Sequence, residues 1–248
     1  MSGHFRSFDG AELALHRLGA GRPVILLHGL FSSAQMNWIR FGHAQALAEA
    51  GFEAIMPDLR AHGASAASHD PASYPSDVLV RDVQALVQDL GIDDFDLVGF
   101  SLGARTAARS VLAGLSPRRL VLAGMGLEGL DGWEGRAAFF LDAIARFDEI
   151  KQGDPAHYAV QFMKTMKVDR IAARLLLQSV GDTDAGELQD IRMPTLVLCG
   201  ADDHDNGSPD ALADALPDAR LEIVPGTHMG SVTKPELGEA IVRFLADA

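Results

Sequence analysis

Ser101 stands between two glycines, in Gly99-Phe100-Ser101-Leu102-Gly103, directly after an apolar run that reads as a buried strand. A serine hydroxyl is a weak nucleophile unless a sharp turn projects it toward a base. Glycines two residues to either side let the strand and the following helix come close enough to make that turn. The pentapeptide alone decides little. With glycine at 25 of 248 positions, such a pattern arises by chance with a probability on the order of 0.1, so its surroundings must carry the inference. An activated serine also needs a general base and a carboxylate to orient that base. The apolar run 195–199 leads into Gly200-Ala201-Asp202-Asp203-His204-Asp205, and the run 221–224 leads into Pro225-Gly226-Thr227-His228-Met229-Gly230. His228 is the candidate base. Asp203 is preferred to Asp202 as the acid, because a Gly-x-x-Asp spacing carries the carboxylate past the strand end toward the histidine loop. The acidic cluster 202–205 lacks the spacing of a calcium loop and has no second histidine four residues on, so it reads as a solvated loop holding one catalytic carboxylate.

Acyl transfer further requires two N–H donors aimed at the oxygen on which negative charge develops. The run 24–27 ends at His28-Gly29-Leu30-Phe31. The donors expected are the backbone amides of Leu102, just after the nucleophile, and Leu30, with Phe31 as runner-up to Leu30. His28 reads as a residue that pins this loop rather than one that exchanges protons. The next loop, Asp58-Leu59-Arg60-Ala61-His62-Gly63-Ala64-Ser65, reads as architectural, with Asp58 and Arg60 able to pair. His62 as base is the minority reading.

These loops need strands that end at one edge of a sheet. Apolar runs at 24–27, 52–56, 96–100, 120–123, 195–199 and 221–224 lack alternation, as strands buried on both faces do. Helical patterns at 44–50, 76–90, 104–112, 209–216 and 235–245 fall between them, so the class is α/β with a mostly parallel central sheet. Two short strands, 4–8 and 12–17, flank Asp9-Gly10 and imply an antiparallel hairpin at the start. About seventy residues separate the strands near Leu120 and Thr195, far more than a crossover needs. A helical cap is expected there, dividing the chain into base (1–125), cap (126–190) and base (191–248). Asp154-Pro155 and Asp169 are positioned to start two of its helices. Phe31, Phe140, Phe162 and Met166 are the candidate substrate contacts, drawn from a wider group that includes Trp38, Trp133, Phe139, Phe147 and Met163. They suggest an apolar acyl or alkyl group.

A formal net charge of −13 argues against nucleic acid or an anionic membrane as partner. The single cysteine, Cys199, allows no disulfide within the chain and lies in an apolar run, where packing is the expected role. The opening residues lack the apolar segment of a secretory signal, and no run approaches the roughly 18 apolar residues of a membrane span. A cytoplasmic enzyme acting on a small molecule, with no cofactor or metal, is expected.

Taken together, His28-Gly29, Asp58-x-Arg60-x-His62-Gly63-x-Ser65, Gly99-x-Ser101-x-Gly103, Gly200-x-x-Asp203 and Gly226-x-His228 resemble the α/β-hydrolase superfamily, including its order of serine, acid and histidine. The pieces around His28 and Asp58 look most like those of small bacterial acyl esterases and thioesterases with a short helical cap. Ala104 stands where many relatives carry a further glycine. The resemblance implies an acyl-enzyme on Ser101, with His228 as base and Asp203 orienting it. The same triad would equally serve a carbon-carbon bond hydrolase, a lactonase or a cofactor-free perhydrolase. The fold alone would also suit a ligand receptor without catalysis.

Overall fold

The structure is a computed structural model that describes residues 2–247. Eight strands, β1 (Ser2–Arg6), β2 (Glu12–Gly19), β3 (Arg22–Leu27), β4 (Phe52–Pro57), β5 (Asp96–Phe100), β6 (Leu120–Ala123), β7 (Thr195–Gly200) and β8 (Ala219–Val224), form one sheet in the order β1-β2-β4-β3-β5-β6-β7-β8. β1 and β2 are antiparallel to their neighbours, and the remaining pairs are parallel. This is the sheet of the α/β-hydrolase fold.

Every position of β5, β6 and β7 is buried, yet the two faces feed different cores. Ile25, Leu27, Leu97 and Leu122 join one cluster, whereas Val24, Leu26, Val98 and Val121 join the other. This period of two is what a pleated strand imposes, and helices cover both faces. α2 (Val78–Leu90) and α3 (Leu102–Leu112) pack on the first cluster; α1 (His43–Glu49) and α10 (Pro235–Ala246) pack on the second. Parallel pairing brings the carboxyl ends of β3, β5, β6, β7 and β8 to one edge. The strand order also reverses direction at β3 and β5, the place where such sheets open a crevice for ligands.

Between β6 and β7 run α4 (Leu127–Leu130), α5 (Trp133–Ala145), α6 (His157–Met166) and α7 (Arg170–Ser179). Asp169 caps α7 as its position predicts, accepting from the amides of Ile171 and Ala172. Asp154 accepts from the amide of Ala156, one residue ahead of α6. α8 (Pro209–Ala215) and the one-turn α9 (His228–Ser231) are the remaining α-helices among the described residues.

Two expectations need correction. The first connection spans residues 7–11 rather than a two-residue turn, and Asp9 is drawn inward to Arg60. β8 is not buried on both faces: it closes the sheet, and half of Ile223 is exposed because no strand lies beyond it. Cys199 lies buried in β7, donating to the Met125 carbonyl at 3.5 Å. Burial, reinforced by the nearby charge of Asp203, pushes its thiol up to about 12.

Candidate active site

Ser101 leaves β5 at φ 54° and ψ −115°, a conformation that costs an L-residue of order 1–3 kcal/mol and persists only where its surroundings hold it. Its amide donates to the Ala123 carbonyl at 2.8 Å, and its carbonyl accepts from the amide of Arg105 at 3.0 Å. The flanking glycines permit this. A Cβ at Gly99 would stand 2.2 Å from the Gly103 carbonyl oxygen, and one at Gly103 only 2.1 Å from that of Leu27. β3, β5 and α3 thus converge more closely than any side chain would allow.

His228 begins α9, and its Nδ1 lies 2.8 Å from Asp203 Oδ2. Because an ionised carboxylate can only accept, Nδ1 carries the proton and Nε2 is left as the basic nitrogen. The ring packs on Phe100 at 5.0 Å between centroids. A Cβ at Gly124 would come within 3.1 Å of His228 Cε1 and 2.8 Å of Phe100 Cε2, so a glycine there makes room for both rings. Asp203 is buried and Asp202 exposed, which settles which carboxylate meets the imidazole. Burial pushes the Asp203 carboxyl up, but the bonds from His228 and from the Asp205 amide outweigh it and hold the group below its ordinary value. Asp203, Asp205 and His228 also have the composition of a small cation site. Of the two imidazole nitrogens, Nδ1 is already engaged by Asp203.

The loops after β3 and β4 are stapled to each other by two histidines. His28 Nε2 accepts from the Leu59 amide at 2.9 Å, and His62 Nε2 accepts from the Phe31 amide at 2.9 Å. Each ring donates from Nδ1 to a nearby carbonyl, that of Gly29 for His28 and of Arg60 for His62. Both rings are therefore neutral, since backbone N–H groups can only donate. Burial depresses both, and His62 falls to about 3, with the neighbouring His28 adding to the effect. Neither is a base for Ser101. The Phe31 amide is committed to His62, whereas among the described residues nothing accepts from the amides of Leu30 or Leu102.

Asp58 does not pair with Arg60. Its two oxygens accept from the amides of Ala34 and Ala64 at 2.8 and 2.9 Å, and a Cβ at Gly63 (φ 55°) would collide with this carboxylate at 2.1 Å. Arg60 is buried and instead makes bidentate pairs with Asp82 and Asp9.

A cavity of about 570 Å³ opens at this edge, and both Ser101 and His228 line it. Leu30, Leu102, Phe31, Phe140 and Phe162 line it as expected, with the rings of Phe31 and Phe140 edge-to-face at 5.6 Å. Met166 does not. It sits one turn beyond Phe162 on α6 and faces a second cavity of about 90 Å³ beside His62 and Val168. Trp38 is buried under the opposite face of the sheet. Sequence reasoning missed Asn37, which accepts from the Gly29 amide at 3.1 Å, and Asn206, which donates to the Gly124 carbonyl at 2.7 Å. It also missed Arg105 and Arg136, both in the cavity wall. Only Arg105 left a signal, as a charge on the small-residue face of α3 one turn after Ser101.

A family model described as the α/β hydrolase fold matches residues 22–125. A hydrolase from Pseudomonas aeruginosa PA01 superposes with a TM-score of 0.75 at 26% identity, covering 99% of this chain and 98% of that one. The chain has the α/β-hydrolase fold, and its first half carries the match to that family. It is also 26% identical to the non-heme chloroperoxidase CPO-A1 of Kitasatospora aureofaciens, over 96% of each protein. It is 36% identical to epoxide hydrolase 2 of Siraitia grosvenorii over 101 residues, which span 41% of this chain but only 31% of that protein. No helix among the described residues is long and apolar enough to cross a membrane.

Proposed function

We propose that this protein is a serine hydrolase that cleaves a carboxylic ester or thioester bearing an apolar acyl or alkyl group. The observation that carries the reading is the 2.8 Å bond from His228 to buried Asp203, with His228 and the strained Ser101 on one cavity. His228 Nε2 takes the Ser101 proton as Oγ attacks the substrate carbonyl. Asp203 fixes the tautomer and stabilises the imidazolium, and the amides of Leu30 and Leu102 hold the oxyanion. His228 then gives that proton to the departing alkoxide or thiolate. In the second half, water attacks the acyl-enzyme, its proton passes to His228, and Ser101 leaves with that proton restored. The helices between β6 and β7 act as a cap that supplies Phe140 and Phe162 to the acyl pocket.

A fluorophosphonate probe should label the wild-type protein and not Ser101→Ala, and that variant should lose about four orders of magnitude or more in 4-nitrophenyl ester turnover while staying folded. Hydrolysis retained by the variant would sink the assignment. Full-length similarity to a chloroperoxidase supports a second reading on the same site, in which hydrogen peroxide replaces water and releases a peracid. Peroxide-dependent halogenation in acetate buffer distinguishes it.

A further inference from the structure

Arg136, on α5, is a partly buried cation in the wall of the catalytic cavity with no ion pair among the described residues. Its Nη1 donates to the Asp205 carbonyl, and its guanidinium lies 5.8 Å from the centroid of the Phe140 ring. Nε and Nη2 make no hydrogen bond to any described residue, which leaves two donors of a planar fork available. Arg105 forms a second cation in the same wall. It is fully buried, its terminal nitrogens bound to the carbonyls of Gly129, Leu130 and Gly181 and to the half-exposed Asp182, while Nε has no partner. Three carboxylates face these two cations: Asp182 pairs with Arg105, while Asp205 in the cavity wall and the buried Asp203 both act on Arg136. Burial pulls both arginines down, Arg105 to about 10, the mark of buried charge that the protein compensates incompletely. Two arginines in the wall of a largely apolar pocket, one of them with unused donors, are unexpected in a chain of net charge −13, which repels anions at long range.

We propose that Arg136, backed by the field of Arg105, binds a carboxylate at the far end of the substrate's acyl chain, so that the preferred substrates are half-esters of dicarboxylic acids. The proposal rests on Ser101, which lines the same cavity, being the nucleophile. A planar carboxylate would accept from Nε and Nη2 of Arg136 in the bidentate manner that guanidinium favours. Phe31, Phe140 and Phe162 would line the methylenes between.

The test compares 4-nitrophenyl hydrogen adipate with 4-nitrophenyl hexanoate, which share a six-carbon acyl chain and differ by one terminal charge. Wild-type kcat/KM should favour the adipate half-ester at least tenfold. Arg136→Gln should lower that ratio tenfold or more, and Arg136→Lys should restore much of it. A wild-type ratio near one, or equal losses on both esters in Arg136→Gln, overturns the proposal; equal losses would mean that Arg136 only braces the Asp205 loop. Thermal stabilisation by free adipate, with hexanamide as control, reads the same site without turnover. Stabilisation of wild-type and not of Arg136→Gln supports the carboxylate site even where both esters prove inert, an outcome that would instead count against Ser101 as nucleophile. Absence of stabilisation in the wild-type protein counts against the site.

Discussion

The paired histidines that join the loops after β3 and β4 should make the fold acid-sensitive in a way that one substitution can isolate. His62 accepts from the Phe31 amide through Nε2, so it must be neutral in the native state, and its burial holds it at about 3. In the unfolded chain it titrates near its ordinary 6.5. The unfolded state therefore binds a proton that the native state refuses, and the stability this ring contributes above pH 6.5 is lost as pH falls toward 3. At pH 4, about 2.5 pH units below the ordinary imidazole value, the loss from His62 alone is about 3 kcal/mol at roughly 1.4 kcal/mol per unit. The depressed His28 pulls in the same direction. Carboxylates also titrate in this range, so the informative quantity is a difference between two proteins. His62→Gln keeps a side-chain acceptor for the Phe31 amide and removes the titrating ring. Urea unfolding at pH 7 and pH 4 should show wild-type losing about 3 kcal/mol more than His62→Gln over that interval. Equal losses would refute both the neutral tautomer and the staple built on it. Protonation of His62 also releases the Phe31 amide next to Leu30, so ester turnover should fail reversibly in the same range.

Asp203→Asn should lower kcat by about four orders of magnitude through loss of the productive tautomer, whereas Asp202→Asn, at an exposed position, should stay within about threefold; steady-state kinetics with one ester decides between them. Gly103→Ala places a Cβ 2.1 Å from the Leu27 carbonyl oxygen, so the end of β3 must shift by about an ångström and carry the Leu30 amide with it. Turnover should drop on the order of 100-fold, with an oxyanion donor displaced, and wild-type turnover in that variant would contradict the proposed hole. Arg60→Met leaves the buried Asp82 carboxylate without its bidentate partner and should cost about 3–5 kcal/mol in chemical denaturation, with part of the loss recovered by adding Asp82→Asn.

The site was legible where chemistry constrains both residue type and position. A serine with flanking glycines, an acid and a histidine, each just past an apolar run, are enough to place Ser101, Asp203 and His228 on one sheet edge, and the Gly-x-x-Asp spacing favours Asp203 over Asp202 as burial does. Partner choice was far less legible. Arg60 lies two residues from Asp58, yet it reaches Asp9 and Asp82 because Asp58 is consumed by the amides of Ala34 and Ala64. No local spacing reveals that competition. Phe162 and Met166 share a helix face, and periodicity cannot tell that the main cavity ends between them. Arg136 reads as an ordinary surface residue until tertiary packing folds α5 over the crevice. The edge position of β8 likewise follows from strand order, which a run of apolar residues does not encode.

The solitary thiol gives this protein a built-in gauge of its own opening. Cys199 is shielded in β7 and held some three pH units above an ordinary thiol, so thiolate-seeking reagents cannot reach it while the central sheet is intact. Its alkylation rate in native buffer reports how often that sheet comes apart. No engineered label is required, and a slower rate with ligand bound measures how far occupancy of the cavity is felt at the strand behind it.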